Sequence, residues 1–432
     1  MLVLVAGGGI GGLCLAQGLA RSGIAVSVYE RDASAFARPQ GFRIHISPMG
    51  CRALQACLPD ELYELFCETC GESGQGFAIL DEQLRELLSW AGPDRIAAGQ
   101  SADAHRSASR ITLRRILLEG MGENVHFGKR MVSYSAESGT RIKAEFEDGR
   151  AAEGDLLVGA DGVHSAVREQ LVPGWGPVDT GVVALGGTLP LSDEVAALLP
   201  PQAMKGPIIV MARAPVSLFM AVWKREESKQ ALLDERLAEA TPACLTEDTA
   251  AQGESNYLVM GFGLLEAHCP RARSDSAGSE TRDQIGRLVT SWHPHLRKLI
   301  EMLDYEDMEP RPVRTSRPVT QWETGRVTLL GDAIHSMTPY RGIGANVALK
   351  DAAVLCKALG SAQSGALDLD TALREYQKQM LHYGFEAVRD SLQMMNRAVI
   401  NRGTGFIVAK LAMRALNAFP TLKQKALGHD ME

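Results

Sequence analysis

Gly7-Gly8-Gly9-Ile10-Gly11-Gly12 constrains this chain more than any other feature. The six residues fit the spacing GxGxxG and follow an apolar run, Leu2–Ala6. Behind them, Ile10, Leu13, Ala16, Leu19 and Ala20 recur on one face of a helix pattern. Glycines at Gly7, Gly9 and Gly12 permit a tight turn and let main-chain N–H groups approach a pyrophosphate at the helix N-terminus. Gly23 stops that helix, and residues 25–30 (AVSVYE) read as the next strand, which completes a βαβ start. Glu30 closes that strand, where a carboxylate accepts hydrogen bonds from both hydroxyls of an adenosine ribose and repels a 2′-phosphate. The pattern predicts a site for FAD or NAD and disfavours NADP there.

With 432 residues the chain exceeds what one core normally supports, so more than one domain is expected. A helix pattern covers 103–121, short strands fall near 125–127, 131–134 and 142–146, and a buried strand covers 156–160. From 178 to 318 the texture changes to alternating strand-like runs, closed by a Pro/Arg-rich stretch (EPRPVRTSRP). Residues 327–330 return to a buried, parallel-type strand, and the remainder reads as helical. The fold class implied is α/β, a Rossmann-type nucleotide-binding domain with an inserted, mostly antiparallel substrate-binding sheet and a C-terminal helical extension. The expected division is 1–177 and 319–370 for the nucleotide-binding domain, 178–318 for the sheet and 371–432 for the helices. Residues 271–283 read as a mobile loop, and Gly261-Phe262-Gly263, inside a strand pattern, as a bulge. The amphipathic stretch GFIVAKLAMRALNAF is expected to pack on the main body rather than on a membrane.

Net charge is −7 and no run of Lys/Arg forms a nucleic-acid footprint, so a small organic molecule is the expected partner. Eight cysteines are scattered without the spacing of a disulfide framework. Cys67 and Cys70 form a CxxC, but ELYELFCETCGES reads as the end of a helix rather than a metal or redox motif. No metal is expected. No stretch approaches the ~20 apolar residues of a membrane span, and MLVLVAGGG is too short and uncharged for a leader. A cytoplasmic monomer or homodimer is expected.

Two further segments carry chemistry. Residues 154–168 (GDLLVGADGVHSAVR) place Asp161-Gly162 between an apolar strand and a helix start. Residues 325–352 (GRVTLLGDAIHSMTPYRGIGANVALKDA) place Asp332 after a buried strand, where it suits a ribityl hydroxyl. The loop Gly342-Ile343-Gly344-Ala345-Asn346 then leads into a helix whose positive end suits an isoalloxazine ring that gains negative charge on reduction.

These motifs, in this order and spacing, resemble the single-component FAD-dependent aromatic hydroxylases typified by p-hydroxybenzoate hydroxylase, over residue 1 to about 390. The resemblance implies that Glu30 binds the adenosine ribose, that Asp332 and Ala345 touch the ribityl and ring portions of FAD, and that Arg110 meets the flavin chain. It places Arg43 beside the ring and gives the Asp161-Gly162 segment contacts with FAD and NAD(P)H. Where many members have Gly-Gln-Gly, this chain has Gly342-Ile343-Gly344, which removes one side-chain contact. A second GxGxxG on a strand–helix boundary, the WxWxIP of flavin halogenases and room for a thioredoxin-like C-terminal domain are all missing.

The implied activity is hydroxylation or epoxidation of a small aromatic, polyketide-like or alkaloid-like molecule, with noncovalent FAD, NADPH or NADH as transient cosubstrate, and dioxygen. In that family oxygen adds at flavin C(4a) as a hydroperoxide, the flavin swings between two positions, and the nicotinamide binds in a transient groove. His45, Arg213 and His335 are the candidate catalytic groups. Met211, Phe219, Met220, Trp223, Tyr257 and Phe262 are candidates for the pocket wall, about half of them facing away from it. Pro339 and Tyr340 suit the pocket floor. The alternatives are an FAD dehydrogenase or oxidase on the same fold and a flavin-binding protein without turnover.

Overall fold

The computed structural model describes residues 1–35, 37, 43–70, 76–91, 101–137, 141–213, 215–224, 236, 256–269, 277–306, 308–323, 325–400 and 404–423. A parallel sheet holds the first half of the fold, in the order β17 (Val327–Leu329), β11 (Leu156–Gly159), β1 (Leu2–Ala6), β2 (Ala25–Tyr29), β7 (Val125–His126). Val3, Leu4 and Val5 are all fully buried, because a parallel sheet is covered on both faces and its central strand must be apolar throughout. The Ile10–Arg21 helix follows β1 and packs beside the Gly344–Gln363 helix, so that the two glycine-led segments share one layer.

A seven-stranded sheet forms the second layer, in the order β16 (Arg311–Thr315), β12 (Val178–Pro190), β15 (Tyr257–Leu265), β14 (Val216–Trp223), β13 (Ile208–Met211), β4 (Gly76–Asp81), β5 (Glu86–Ala91). Its pairs are antiparallel except for β13 with β4. Chain order misleads here: β4 and β5 lie far upstream of residue 178, yet they extend the sheet of the later segment. One face carries Leu218, Met220, Leu258, Met260, Phe262 and Leu264, buried against Ala277–Leu288 and Pro294–Glu301, the helices that supply Ile285, Leu296 and Leu299. Met220 and Phe262 therefore belong to this core and not to the cleft, as the two-residue period of a strand requires. Phe219, Trp223 and Tyr257 occupy the other face, and Met211 packs with Leu87 and Phe406.

Three further sequence expectations change. The helix placed over 103–121 spans only Arg110–Leu118, because β6 (Arg106–Ala108) pairs with β3 (Ile44–Ile46) and Ser109 then caps the helix through the Thr112 N–H. The pairing of β15 with both neighbours runs through Gly261 and Gly263 without a register shift, so no bulge is present. The second half of the expected 271–283 loop is helical, and 271–276 lie outside the described residues. A small antiparallel sheet, β8 (Met131–Glu137), β9 (Arg141–Phe146) and β10 (Ala151–Gly154), completes the strands.

The Leu369–Met395 helix leads to the Thr404–Ala418 helix, which packs on β5 through Phe406 and through ion pairs of Lys410 with Glu82 (2.6 Å) and Arg414 with Asp81 (3.1 Å). Its packing on the main body agrees with the sequence expectation, although Ile407, Val408 and Leu411 face outward. Among the described residues no helix is long and apolar enough to cross a membrane.

Candidate functional site

The glycine loop separates what the protein needs from what a ligand needs. Gly7 has φ +112°, and a Cβ there would stand 2.2 Å from the Ala160 carbonyl oxygen. A Cβ on Gly12 would stand 2.1 Å from the Gly7 carbonyl oxygen, so helix and strand can approach only at a glycine. Gly9 differs, because no described residue lies within 4 Å of where its Cβ would be. The Ile10–Arg21 helix starts there with no side-chain cap, and its first N–H groups are left for an anion. This is a cradle of the right kind for a pyrophosphate.

Glu30 is buried at the end of β2 and accepts from the Gly8 N–H (2.8 Å) and the Asp32 N–H (2.9 Å), with the Arg114 guanidinium 3.9 Å away. The carboxylate therefore braces the glycine loop, and its remaining lone pairs suit ribose hydroxyls.

In the Asp161-Gly162 segment, the Asp161 carboxylate accepts from the Ala166 N–H at 2.7 Å and Ser165 Oγ from the Arg168 N–H at 2.9 Å. Both cap the Ala166–Leu171 helix, so Asp161 shapes the loop rather than presenting a carboxylate to solvent; burial raises its pKa. Arg168 donates to the Val163 and Ala333 carbonyls at 3.0 Å each and ties this loop to the Asp332 segment. Asp332 opens the short Asp332–His335 helix after Gly331 (φ +61°). Its side chain is accessible from the cleft, yet protein crowds it from behind. That burial raises its carboxyl, against the opposing charges of His335 and Arg110. The Arg110 charge is thus felt at the Asp332 carboxyl.

Gly342 has φ +64° and turns the chain into the Gly344–Gln363 helix, which again starts without a side-chain cap. A Cβ on Gly344 would find only Met337 Cγ at 3.8 Å, while Ala345 is half-buried beside it. Asn346 is fully buried and clamps β3: its Nδ2 donates to the His45 carbonyl (2.8 Å) and its Oδ1 accepts from the Ser47 N–H (2.8 Å). The Asn346 side chain is thereby engaged with main chain, and only its helix-end position faces a ligand.

The three candidate catalytic groups separate. His45 is exposed beside this loop, and its Nε2 lies 3.0 Å from Nδ1 of His105. His105 was not singled out from the sequence, because only the β3–β6 pairing brings 45 and 105 together. Arg213 is exposed in the turn between β13 and β14. His335 is sealed from solvent and paired with Asp351 at 2.7 Å, so it serves the scaffold and not the reacting atoms. Arg43 donates to the Ser107 carbonyl (2.6 Å), with its guanidinium 5.9 Å from the Trp223 ring centroid. Cys67 and Cys70 are buried beside Arg106, and burial raises both thiols, so neither is a thiolate nucleophile at neutral pH.

A cavity of about 300 Å³ lies between Asp332, Met337 and Pro339 on one side and Ala184, Arg311 and Val313 of the second sheet on the other. Tyr340 contacts the same sheet, its hydroxyl hydrogen-bonded to Ser217. The glycine loop, Glu30 and Asp332 follow the C-terminal ends of β1, β2 and β17 in one parallel sheet, and the second sheet faces Asp332 across the cavity. This is the architecture of an FAD-binding fold.

The chain belongs to the FAD binding domain family, which it matches over residues 1–252 and 270–391, and FAD is the cofactor that fits its cradle. It is 35% identical over 380 residues to the dual O-methyltransferase/FAD-dependent monooxygenase elcB of Phaeosphaeria nodorum. That match covers 83% of this chain and 40% of the relative, so the chain spans less than half of that relative's length. The fold is similar to a crystal structure from Photorhabdus luminescens subsp. laumondii described as a candidate FAD containing monooxygenase, with TM-score 0.79, 33% identity and coverage of 93% of this chain and 99% of that one. Klebsiella pneumoniae HpxO complexed with FAD and uric acid shares the fold, with TM-score 0.74, 22% identity and coverage of 100% and 95%.

Proposed function

We propose that this chain is an FAD-dependent monooxygenase that consumes NAD(P)H and dioxygen and places one oxygen atom on a small aromatic or polyketide-like molecule. One observation carries the reading. Asp332 and Met337 line one cleft with Ala184, Arg311 and Val313 of the seven-stranded sheet, and the uncapped Gly344–Gln363 helix starts beside Met337, so the cleft has room for a flavin ring and an organic substrate together. The similarity to the P. nodorum and P. luminescens proteins supports it.

Bound FAD supplies hydride acceptance and oxygen activation. The protein positions and polarises. Gly9 and the Ile10–Arg21 helix end hold the pyrophosphate, Glu30 the adenosine ribose and Asp332 the ribityl chain. N–H groups at Gly344 and Ala345 would stabilise negative charge on a reduced flavin held at this helix end. The hydrogen-bonded His45–His105 pair, 3.0 Å between ring nitrogens, would serve as a proton relay if the substrate reaches it. The balance is R–H + O₂ + NAD(P)H + H⁺ giving R–OH + NAD(P)⁺ + H₂O.

The test is NAD(P)H oxidation by the FAD-loaded protein with and without phenolic substrates, under air and under nitrogen, using isotopically labelled dioxygen. Substrate-dependent oxidation with label in the product is expected. NAD(P)H oxidation that proceeds equally under nitrogen, or that yields only peroxide with every substrate, would refute the reading.

A further inference from the structure

The face of the seven-stranded sheet that looks into the cleft is closed at two ends. At one, Tyr340 fills the space above Gly263, where a Cβ would stand 1.9 Å from its hydroxyl. At the other, Arg43 lies over Trp223, which pairs with Tyr257. Gly263 and Tyr257 are six residues apart on β15, so the two ends are ~20 Å apart.

Two cross-strand rows lie between them. In one, Gly186 pairs with Gly261 and Gly261 with Phe219; in the other, Thr188 pairs with Val259 and Val259 with Ala221. Gly186 and Gly261 thus leave the first row bare beside the Phe219 ring, and the second row presents only the short side chains of Thr188, Val259 and Ala221. Phe219 is 43% exposed on this face, a large apolar ring open to a ligand.

Among the described residues, nothing in the packing requires a glycine at 261. It stands in a regularly paired strand without a positive φ, and a Cβ there would find only Phe219 Cβ at 4.0 Å. Gly263 is required by Tyr340, whereas Gly261 leaves room for something that enters the cleft. The two rows lie ~7 Å apart along the strands, so a flat molecule covering both must be wider than one row. A side chain at 261 would split that surface.

The geometry points to Gly261 as a specificity-determining residue that admits a planar, fused-ring phenol against the Phe219 ring. This deepens the monooxygenase reading and rests on it for the identity of the cleft. Offset or edge-on contact with Phe219 favours a flat π-system over a puckered ring of similar size.

Isothermal titration of the FAD-loaded protein with phenol, 2-naphthol and 4-cyclohexylphenol tests this, the last being similar in apolar size to 2-naphthol but not planar. Wild type is expected to bind 2-naphthol at least tenfold more tightly than either of the others. Gly261→Val is expected to weaken 2-naphthol tenfold or more and phenol less than threefold, and Phe219→Ala to remove the preference for the planar ligand. Should Gly261→Val lose FAD, Gly261→Ala serves, with a threefold or larger loss for 2-naphthol expected. Binding of 4-cyclohexylphenol as tight as that of 2-naphthol, or unchanged 2-naphthol affinity in the Gly261 variant, overturns the inference. Binding is read without turnover, so loss of the ring preference leaves the monooxygenase reading standing, and absence of turnover leaves the ring preference measurable.

Discussion

His335 Nε2 lies 2.7 Å from Asp351 Oδ2, and both side chains are sealed from solvent. The same carboxylate accepts from the Gly331 N–H at 2.7 Å and from the Tyr383 hydroxyl at 2.6 Å. One acid therefore joins the turn before Asp332, an imidazole and the Leu369–Met395 helix. Gly384 on that helix makes room, since a Cβ there would stand 2.5 Å from His335 Cδ2. Burial alone would lower the His335 pKa, but the charge and hydrogen bond of Asp351, with the charge of Asp332, raise it.

A histidine whose folded pKa is raised contributes stability that is complete below its unfolded pKa of ~6.5 and is lost as pH rises through the folded value. Urea unfolding is accordingly expected to show lower stability in alkaline than in mildly acidic buffer. His335→Asn should flatten that slope, and an unchanged slope would place the titration elsewhere. Asp351→Asn leaves the imidazolium without its counter-charge and is expected to cost ~3–5 kcal/mol.

Asp332 titrates with the opposite consequence for the cofactor. Its carboxyl is raised, so any stability it contributes to the cofactor-free protein falls as pH climbs from ~3.9 to the folded value. With the Asp332 carboxylate as acceptor for FAD, as proposed, FAD binding is expected to weaken as pH drops through that same value. FAD dissociation constants measured from neutral pH downward should rise before the ordinary aspartate range is reached. In Asp332→Asn this acid dependence should disappear, and a variant that keeps it would exonerate Asp332.

Glu30→Ala removes the acceptor for the Gly8 and Asp32 N–H groups as well as for the ribose. A hydrogen bond to a charged group contributes ~1.5–3 kcal/mol, or roughly ten- to hundredfold in affinity. Fluorescence titration of cofactor-free protein with FAD is expected to show a loss of that size. Wild-type affinity in the variant would move the adenosine away from β2.

Gly263→Ala drives a methyl group into the Tyr340 hydroxyl, and the nearest ring carbon, Cζ, would be 3.2 Å away. Such overpacking typically costs ~1–3 kcal/mol. Adding Tyr340→Phe removes the nearer oxygen and also the hydrogen bond that holds Ser217 Oγ, the second close atom at 2.9 Å, so the double variant should recover most of the melting temperature lost by the single one. A double variant no more stable than Gly263→Ala would show that the hydroxyl is not what the glycine accommodates.

The sequence by itself determined the parts that are local. Leu2–Ala6, the glycine loop, the following helix and Glu30 are contiguous, and their spacing alone places an anion cradle beside a ribose acid. The Asp332 turn and the glycine-led helix after it were legible for the same reason. Tertiary structure decided which strands share a sheet. β4 and β5 join strands more than a hundred residues downstream, because pairing is settled by edges and apolar faces that meet only in three dimensions. It also decided the use of each polar group: Asp161 became a helix cap, His335 a buried partner of Asp351, Asn346 a clamp on β3, and His105 a neighbour of His45. A carboxylate or imidazole reads the same in any chain. Whether it faces a ligand or a backbone N–H depends on what packs behind it, and that is set by contacts distant in sequence.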